Sequence, residues 1–207
     1  MRFRLSPVLA AAFALALAAC AGDQPLATDQ AGARAAVAPA PVCLEFNVPP
    51  LGTAWGASFG TPAGVTLWVE NGIRASVLPF NTGSGSFFAE ARIVNAPTPF
   101  GAGVDPRGRA RSISWGFDFT GLSFVPKTVT FDWLDQGTPF ENLAVNGSPL
   151  YIGQLHTPPA VMAGIAVSSS VAPAPGGLTG TVKLTGPVQK VVVGGQPVWI
   201  DHVCAYP

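Results

Sequence analysis

Between residues 112 and 134 large apolar side chains alternate with small or polar ones. Ile113, Trp115, Phe117 and Phe119 are interleaved with Ser112, Ser114, Gly116, Asp118 and Thr120, and Val129, Phe131 and Trp133 with Thr128, Thr130 and Asp132. A period of two puts the apolar set on one face of an extended strand, so each segment predicts a strand with one face in a core. Further runs at 43–48, 65–70, 73–80, 87–94, 143–145, 161–168, 179–185, 189–193 and 197–204 are rich in β-branched and aromatic residues and are separated by turn residues. They read as short strands. Asn146-Gly147 lies between Leu143-Ala144-Val145 and Pro149-Leu150-Tyr151-Ile152 and predicts a tight hairpin, because both turn residues tolerate positive φ. From residue 42 onward no stretch combines a helical apolar period with caps. The pattern predicts an all-β domain, a two-sheet antiparallel β-sandwich with jelly-roll-like winding.

Glycine (24) and proline (21) are abundant but scattered between the apolar runs, so they read as turn residues rather than a low-complexity tract. With 207 residues, 48% hydrophobic and 11% charged, the chain can bury one substantial core. The N-terminus breaks the pattern. Arg2 and Arg4 precede an apolar run over 5–19, which is the organisation of a secretory signal and too short for a comfortable membrane span. Leu17-Ala18-Ala19-Cys20 resembles the lipobox of bacterial lipoproteins. The resemblance implies acylation of Cys20 and a lipid anchor in the membrane, each buried methylene contributing about 0.8 kcal/mol. Ala21 in place of an aspartate implies the outer membrane, periplasmic or surface-facing. The alternative is an ordinary cleaved signal with a chance cysteine at its junction. Residues 21–41 lack apolar periodicity and large side chains and cannot offset the entropy of ordering. The expected organisation is a signal peptide over 1–19, a disordered tether over 20–41 and a β-sandwich over 42–207.

Without Arg2 and Arg4 the exported chain is slightly acidic, which argues against nucleic acid as a partner. Once Cys20 is acylated, Cys43 and Cys204 remain, near the two ends of the domain. In an exported protein they either form a disulfide or stay as two buried thiols. A bond closing about 160 residues would stabilise the fold by about 4 to 5 kcal/mol in the chain-entropy model. Pairing across antiparallel strands would set Leu44 opposite Val203, Glu45 opposite His202 and Phe46 opposite Asp201. Glu45 and His202 would then form a cross-strand ion pair, with Asp201 on the opposite face from Glu45.

Leu44-Glu45-Phe46 near the start and Trp199-Ile200-Asp201-His202-Val203 near the end resemble the signature at the two ends of jelly-roll carbohydrate-binding modules. In that family a glutamate and an aspartate help hold a structural calcium. The resemblance implies glycan binding and a Ca2+ site using Glu45 and Asp201, and it covers only these two terminal strands.

Asp135, Gln136, Glu141 and Asn142 cluster in sequence beside Trp133. Aromatic faces beside bidentate polar groups suit sugars; equally, Trp133 is core and the carboxylates are turn residues. Trp68 shares a strand face with Thr66 and Glu70, while Leu67 and Val69 take the other, which predicts that Trp68 faces solvent. Trp55, in the loop Gly52-Thr53-Ala54-Trp55-Gly56, is a second candidate exposed ring. Arg107, Arg109 and Arg111 alternate, so in an extended loop all three point one way, to grip a carboxylate, phosphate or acidic glycan or simply to be solvated. Gly56-Ala57-Ser58-Phe59-Gly60 spells a nucleophile elbow, but a strand follows instead of a helix. His156 has no spacing that makes it the base for Ser58, and two histidines are too few for a typical zinc site.

The reading that follows is a lipid-anchored, non-catalytic envelope protein binding glycan or another envelope component. The alternatives are a structural or adhesion protein without a small-ligand site and, less favoured by these residues, a hydrolase using Ser58 and His156.

Overall fold

The computed structural model describes residues 40–95, 106–136 and 140–207. The expected signal peptide, Cys20 and nearly all of the tether lie outside the described residues. Among those described there are eighteen strands and no α-helix. In chain order they are β1 (Val42–Leu44), β2 (Ala54–Trp55), β3 (Thr66–Glu70), β4 (Ile73–Leu78), β5 (Phe80–Asn81), β6 (Ser86–Phe87), β7 (Glu90–Asn95), β8 (Pro106–Arg111) and β9 (Ile113–Asp118). The second half supplies β10 (Thr128–Asp135), β11 (Glu141–Val145), β12 (Tyr151–Gly153), β13 (Val161–Met162), β14 (Ile165–Ser169), β15 (Ala172–Ala174), β16 (Gly177–Thr185), β17 (Lys190–Gly195) and β18 (Val198–Tyr206).

Sixteen of these strands form a two-sheet antiparallel sandwich, and β5 pairs with β6 in a separate two-stranded sheet. The larger sheet runs β13-β14-β16-β10-β18-β8-β7-β2, with β1 also on β18 and β15 on β16; the smaller runs β12-β11-β17-β9-β4-β3. The chain switches sheets repeatedly, among other places from β2 to β3, β8 to β9, β9 to β10, β10 to β11, β12 to β13, β16 to β17 and β17 to β18, so both sheets are assembled from distant segments. Between them lies one core. Ile113, Trp115 and Phe117 of β9 meet Val129, Phe131 and Trp133 of β10, all essentially buried, which is the face assignment the alternation predicts. The hairpin also forms: Asn146 and Gly147 have φ of 51° and 75°, and β11 pairs with β12 through Leu143 and Tyr151.

The two ends of the domain are joined. Cys43 pairs with Cys204 and Leu44 with Val203 across β1 and β18, and the two cysteines form a disulfide. A bulge then changes the register. Thr130 of β10 faces Cys204, but Asp132 faces Asp201, so β18 carries one extra residue, with His202 at φ 49°. That residue shifts the phase of the alternation. Ile200 turns into the core, and Asp201 comes to the outer side with Glu45, not to the opposite face.

Trp68 is the second correction. Trp68 goes in and not out: it pairs with Ala75 and Glu70 with Ile73, both core partners, whereas Val69 is exposed and Trp68 is only 9% exposed; a register shift between Thr66 and Trp68 breaks the alternation, so Thr66 is exposed while Leu67 packs against the core. Glu70 carries its carboxylate inward with one oxygen accepting the Glu45 backbone N–H at 3.1 Å. Trp68 stacks on Trp55 at 5.1 Å and meets Trp115 edge-on at 5.7 Å.

Residues 106–111 form a strand and not a loop. β8 lies between β18 and β7 with Ala110 in the core. Gly108 also faces inward, where a Cβ would collide with the Phe46 ring. The strand lacks large inward side chains because Phe46, brought over from the β1 end, fills that space.

Candidate functional site

Because Gly108 and Ala110 face inward, Arg107, Arg109 and Arg111 share the outer face of the larger sheet. The adjacent strand β7 buries Ala91 and Ile93 and turns Glu90 and Arg92 outward. Register sets Glu90 opposite Arg111, Arg92 opposite Arg109 and Val94 opposite Arg107. The result is a ladder of charge across two strands, and its three arginines have different fates.

Arg107 is consumed by the fold. Its Nε lies 3.0 Å from Asp201 Oδ2, with side chains only 10% and 4% exposed. The same row continues to Asp132, which pairs with Asp201 and accepts the Thr181 hydroxyl at 2.5 Å. Arg109 is shared: it donates to Glu90, which also receives Arg92 at 2.9 Å. The hydrogen bond from Arg92, with that from Arg109 and both positive charges, holds Glu90 below the ordinary carboxylate range against the opposing cost of its burial. Arg111 stands directly opposite Glu90, yet Glu90 is turned to the other two guanidiniums. Arg111 is exposed and forms no ion pair among the described residues.

Beside Arg111 is an open concavity of about 400 Å3 lined by Ser58, Phe59, Ala89, Glu90, Arg111 and Ser112. Phe59 is 46% exposed, and the Arg92 guanidinium lies 5.9 Å from its ring centroid. The ring is positioned by the 3-10 turn Ala57–Phe59, which docks on the start of β7 through Ala57 N–H to the Phe88 carbonyl. Gly56 makes that docking possible. Its φ is 133°, and a Cβ would run into the Ala89 carbonyl oxygen. Ser112, at φ 51°, is the corner where the chain leaves one sheet for the other; its hydroxyl oxygen accepts Gln196 Nε2 at 3.2 Å, leaving its own proton to donate. An apolar ring, two hydroxyls and a guanidinium without an ion pair among the described residues line one hollow, groups whose chemistry suits a polar ligand with an apolar face.

The sugar-contact candidates named from sequence lie elsewhere. Trp133 is 1% exposed and Trp68 is core; Trp55 is half-buried against Trp68. Asn142 is fully buried, its side-chain amide clasping the Asn81 backbone at 2.7 and 2.8 Å. Asp135 and Glu141 are buried together where β10 passes to β11. Glu141 accepts the Leu155 N–H at 3.0 Å, and burial, reinforced by the charge of Asp135, pushes it up to about 8. At neutral pH Glu141 is therefore largely a neutral acid, hydrogen-bonded to Asp135, in an interior position a sugar does not reach. Of that set only Gln136 is exposed.

At the joined ends, the expected partners meet, with His202 Nδ1 at 3.0 Å from Glu45 Oε2. Ligand atoms of Glu45, Asp201 and His202 come within 4.8 Å of one another. The set fits calcium poorly. Calcium takes six to eight oxygens, whereas here two carboxylates converge, one held by Arg107 and the other by His202. Ser58 follows β2 of the larger sheet and His156 follows β12 of the smaller, and among the described residues no hydrogen bond joins the two side chains.

Phe59, Glu90 and Arg92 went unnoticed in the sequence. The available signal was Glu90-Ala91-Arg92 alternating in step with Arg107, Arg109 and Arg111, which becomes informative only when the two runs are known to pair. Compared with known proteins, the chain matches no family model, no curated protein and no solved structure.

Proposed function

We propose that the chain is a lipid-anchored, non-catalytic binding protein of the cell envelope, held at the outer membrane through acylated Cys20, whose sandwich binds glycan in the hollow between Phe59 and Arg111. The observation that carries this reading is the hollow itself: a half-exposed ring beside hydroxyl and guanidinium donors where β7 begins and β8 ends, the combination that stacks on a sugar's apolar face and bonds its hydroxyls. Export is supported by the charged and apolar pattern of residues 1–19 and by the disulfide, which persists in an oxidising compartment. The resemblance of the terminal strands to carbohydrate-binding modules points the same way.

Two measurements test it on the full-length chain. Metabolic labelling with a fatty acid in a bacterium that has an outer membrane should mark the wild type and not Cys20→Ser; label on the variant would overturn the anchor. Retention on a panel of immobilised neutral and acidic polysaccharides should occur for the wild type and fall severalfold for Phe59→Ala. No retention on any member of the panel, or retention indifferent to Phe59, would overturn the glycan reading.

A further inference from the structure

The glycan site proposed above carries a charge that its surroundings do not cancel, and this narrows the ligand. On the outer face of β7 and β8, three guanidiniums, from Arg92, Arg109 and Arg111, share the surface with one carboxylate, Glu90. Glu90 is held ionised by two of them, so Arg92 and Arg109 are neither free to leave it nor available to a ligand without competing for it. Arg111 has no such duty. It lines the hollow with the hydroxyls of Ser58 and Ser112.

We infer that this hollow recognises a carboxylate-bearing saccharide, one sugar acid residue of an acidic glycan, with Arg111 pairing the carboxylate, Ser58 and Ser112 donating to it or to neighbouring hydroxyls, and the Phe59 ring against the apolar face of the sugar. This assignment rests on the glycan reading and specifies its chemistry. A guanidinium is a planar fork matched to a carboxylate, and the charge-assisted bond it makes is shorter and stronger than a neutral one. Glu90 lines the same hollow and holds Arg92 and Arg109 to itself, so the hollow offers a ligand one guanidinium fork, that of Arg111, which one carboxylate fills. The space is at the small end of ligand pockets, which span roughly 300–1,000 Å3, and suits a short stretch of saccharide rather than a folded partner.

The test uses the full-length chain and polygalacturonate, its fully methyl-esterified form, a neutral polysaccharide panel and dextran sulfate. The wild type is expected to bind polygalacturonate at least about tenfold more tightly than the ester, the scale of one charge-assisted hydrogen bond. Arg111→Gln should remove that preference, binding acid and ester alike, so the effects of esterification and substitution are not additive. Equal binding of acid and ester, a preference that survives Arg111→Gln, or dextran sulfate binding as tightly as polygalacturonate would each overturn the carboxylate assignment and leave the glycan reading standing. Binding to no polysaccharide would overturn the glycan reading itself.

Discussion

The two ends of β8 show how one alternating run of arginines serves two purposes. At the Arg107 end the guanidinium is buried against Asp201, one residue from the bulge that seats β18 and close to the disulfide that joins the chain ends. At the Arg111 end the same side chain, four residues on and on the same face, is exposed beside a hollow. The difference is made by the neighbours. β18 runs beside the first end and supplies Asp201, whereas past the second end the chain turns at Ser112 into the other sheet and Glu90 is claimed by Arg92 and Arg109. A buried pair of this kind is poor evidence of net stabilisation, but removing one partner leaves an uncompensated charge. An exposed, unpaired cation adds little to stability. Stability should therefore be read at one end of β8 and recognition at the other.

The largest effect should come from the joined ends. Cys43→Ala with Cys204→Ala reopens a loop with a sequence separation of 161, which should cost about 4 to 5 kcal/mol in denaturant unfolding. Glycan retention below the lowered melting temperature should be unchanged; loss of retention in the folded variant would mean that the two ends of β8 are coupled. Next in size is Glu141, whose folded pKa of about 8 lies above its unfolded value near 4.5. The protonated form is favoured in the fold, so its contribution is complete below the unfolded pKa and is lost as pH rises through about 8. The melting temperature should fall between pH 5 and pH 9, by an amount on the order of a few kcal/mol in stability. Glu141→Gln, which mimics the neutral acid, should flatten that fall; an unchanged slope would assign it to other groups. The smallest effect concerns calcium. If Glu45 and Asp201 are committed to His202 and Arg107, adding calcium after chelation should leave the melting temperature unmoved. A rise of several degrees would show that the two carboxylates prefer a metal to the protein's own cations.

Much of the fold was legible because its strands alternate. Ile113 to Phe119 and Val129 to Trp133 went inward as their period requires, and the cysteine pairing set the register of β1 on β18. What escaped was phase and partnership. At Trp68 the alternation did not say which side was inside, since Glu70 looks like a surface residue until its bond to the Glu45 backbone is known, and a register shift after Thr66 broke the period itself. At Asp201 a single bulged residue reversed the face. β8 looked like a loop because its inward residues are Gly108 and Ala110, and their smallness is explained only by Phe46 packing against them from a distant segment. The site suffered most. Tryptophans and carboxylates chosen as sugar contacts are what this sandwich uses to fill its interior, while the hollow is built from Phe59 and Arg111, more than fifty positions apart in the chain.

The central claim is a division of labour along one strand, and a paired measurement on Arg107→Met and Arg111→Gln tests it most directly. Arg107→Met should lose about 3 to 5 kcal/mol of stability by stranding Asp201, and should bind polygalacturonate like the wild type under conditions where it is folded. Arg111→Gln should stay within about 0.5 kcal/mol of the wild type and lose its preference for the acidic polymer. Equal destabilisation by both substitutions, or binding that depends on Arg107 and not on Arg111, would contradict the account.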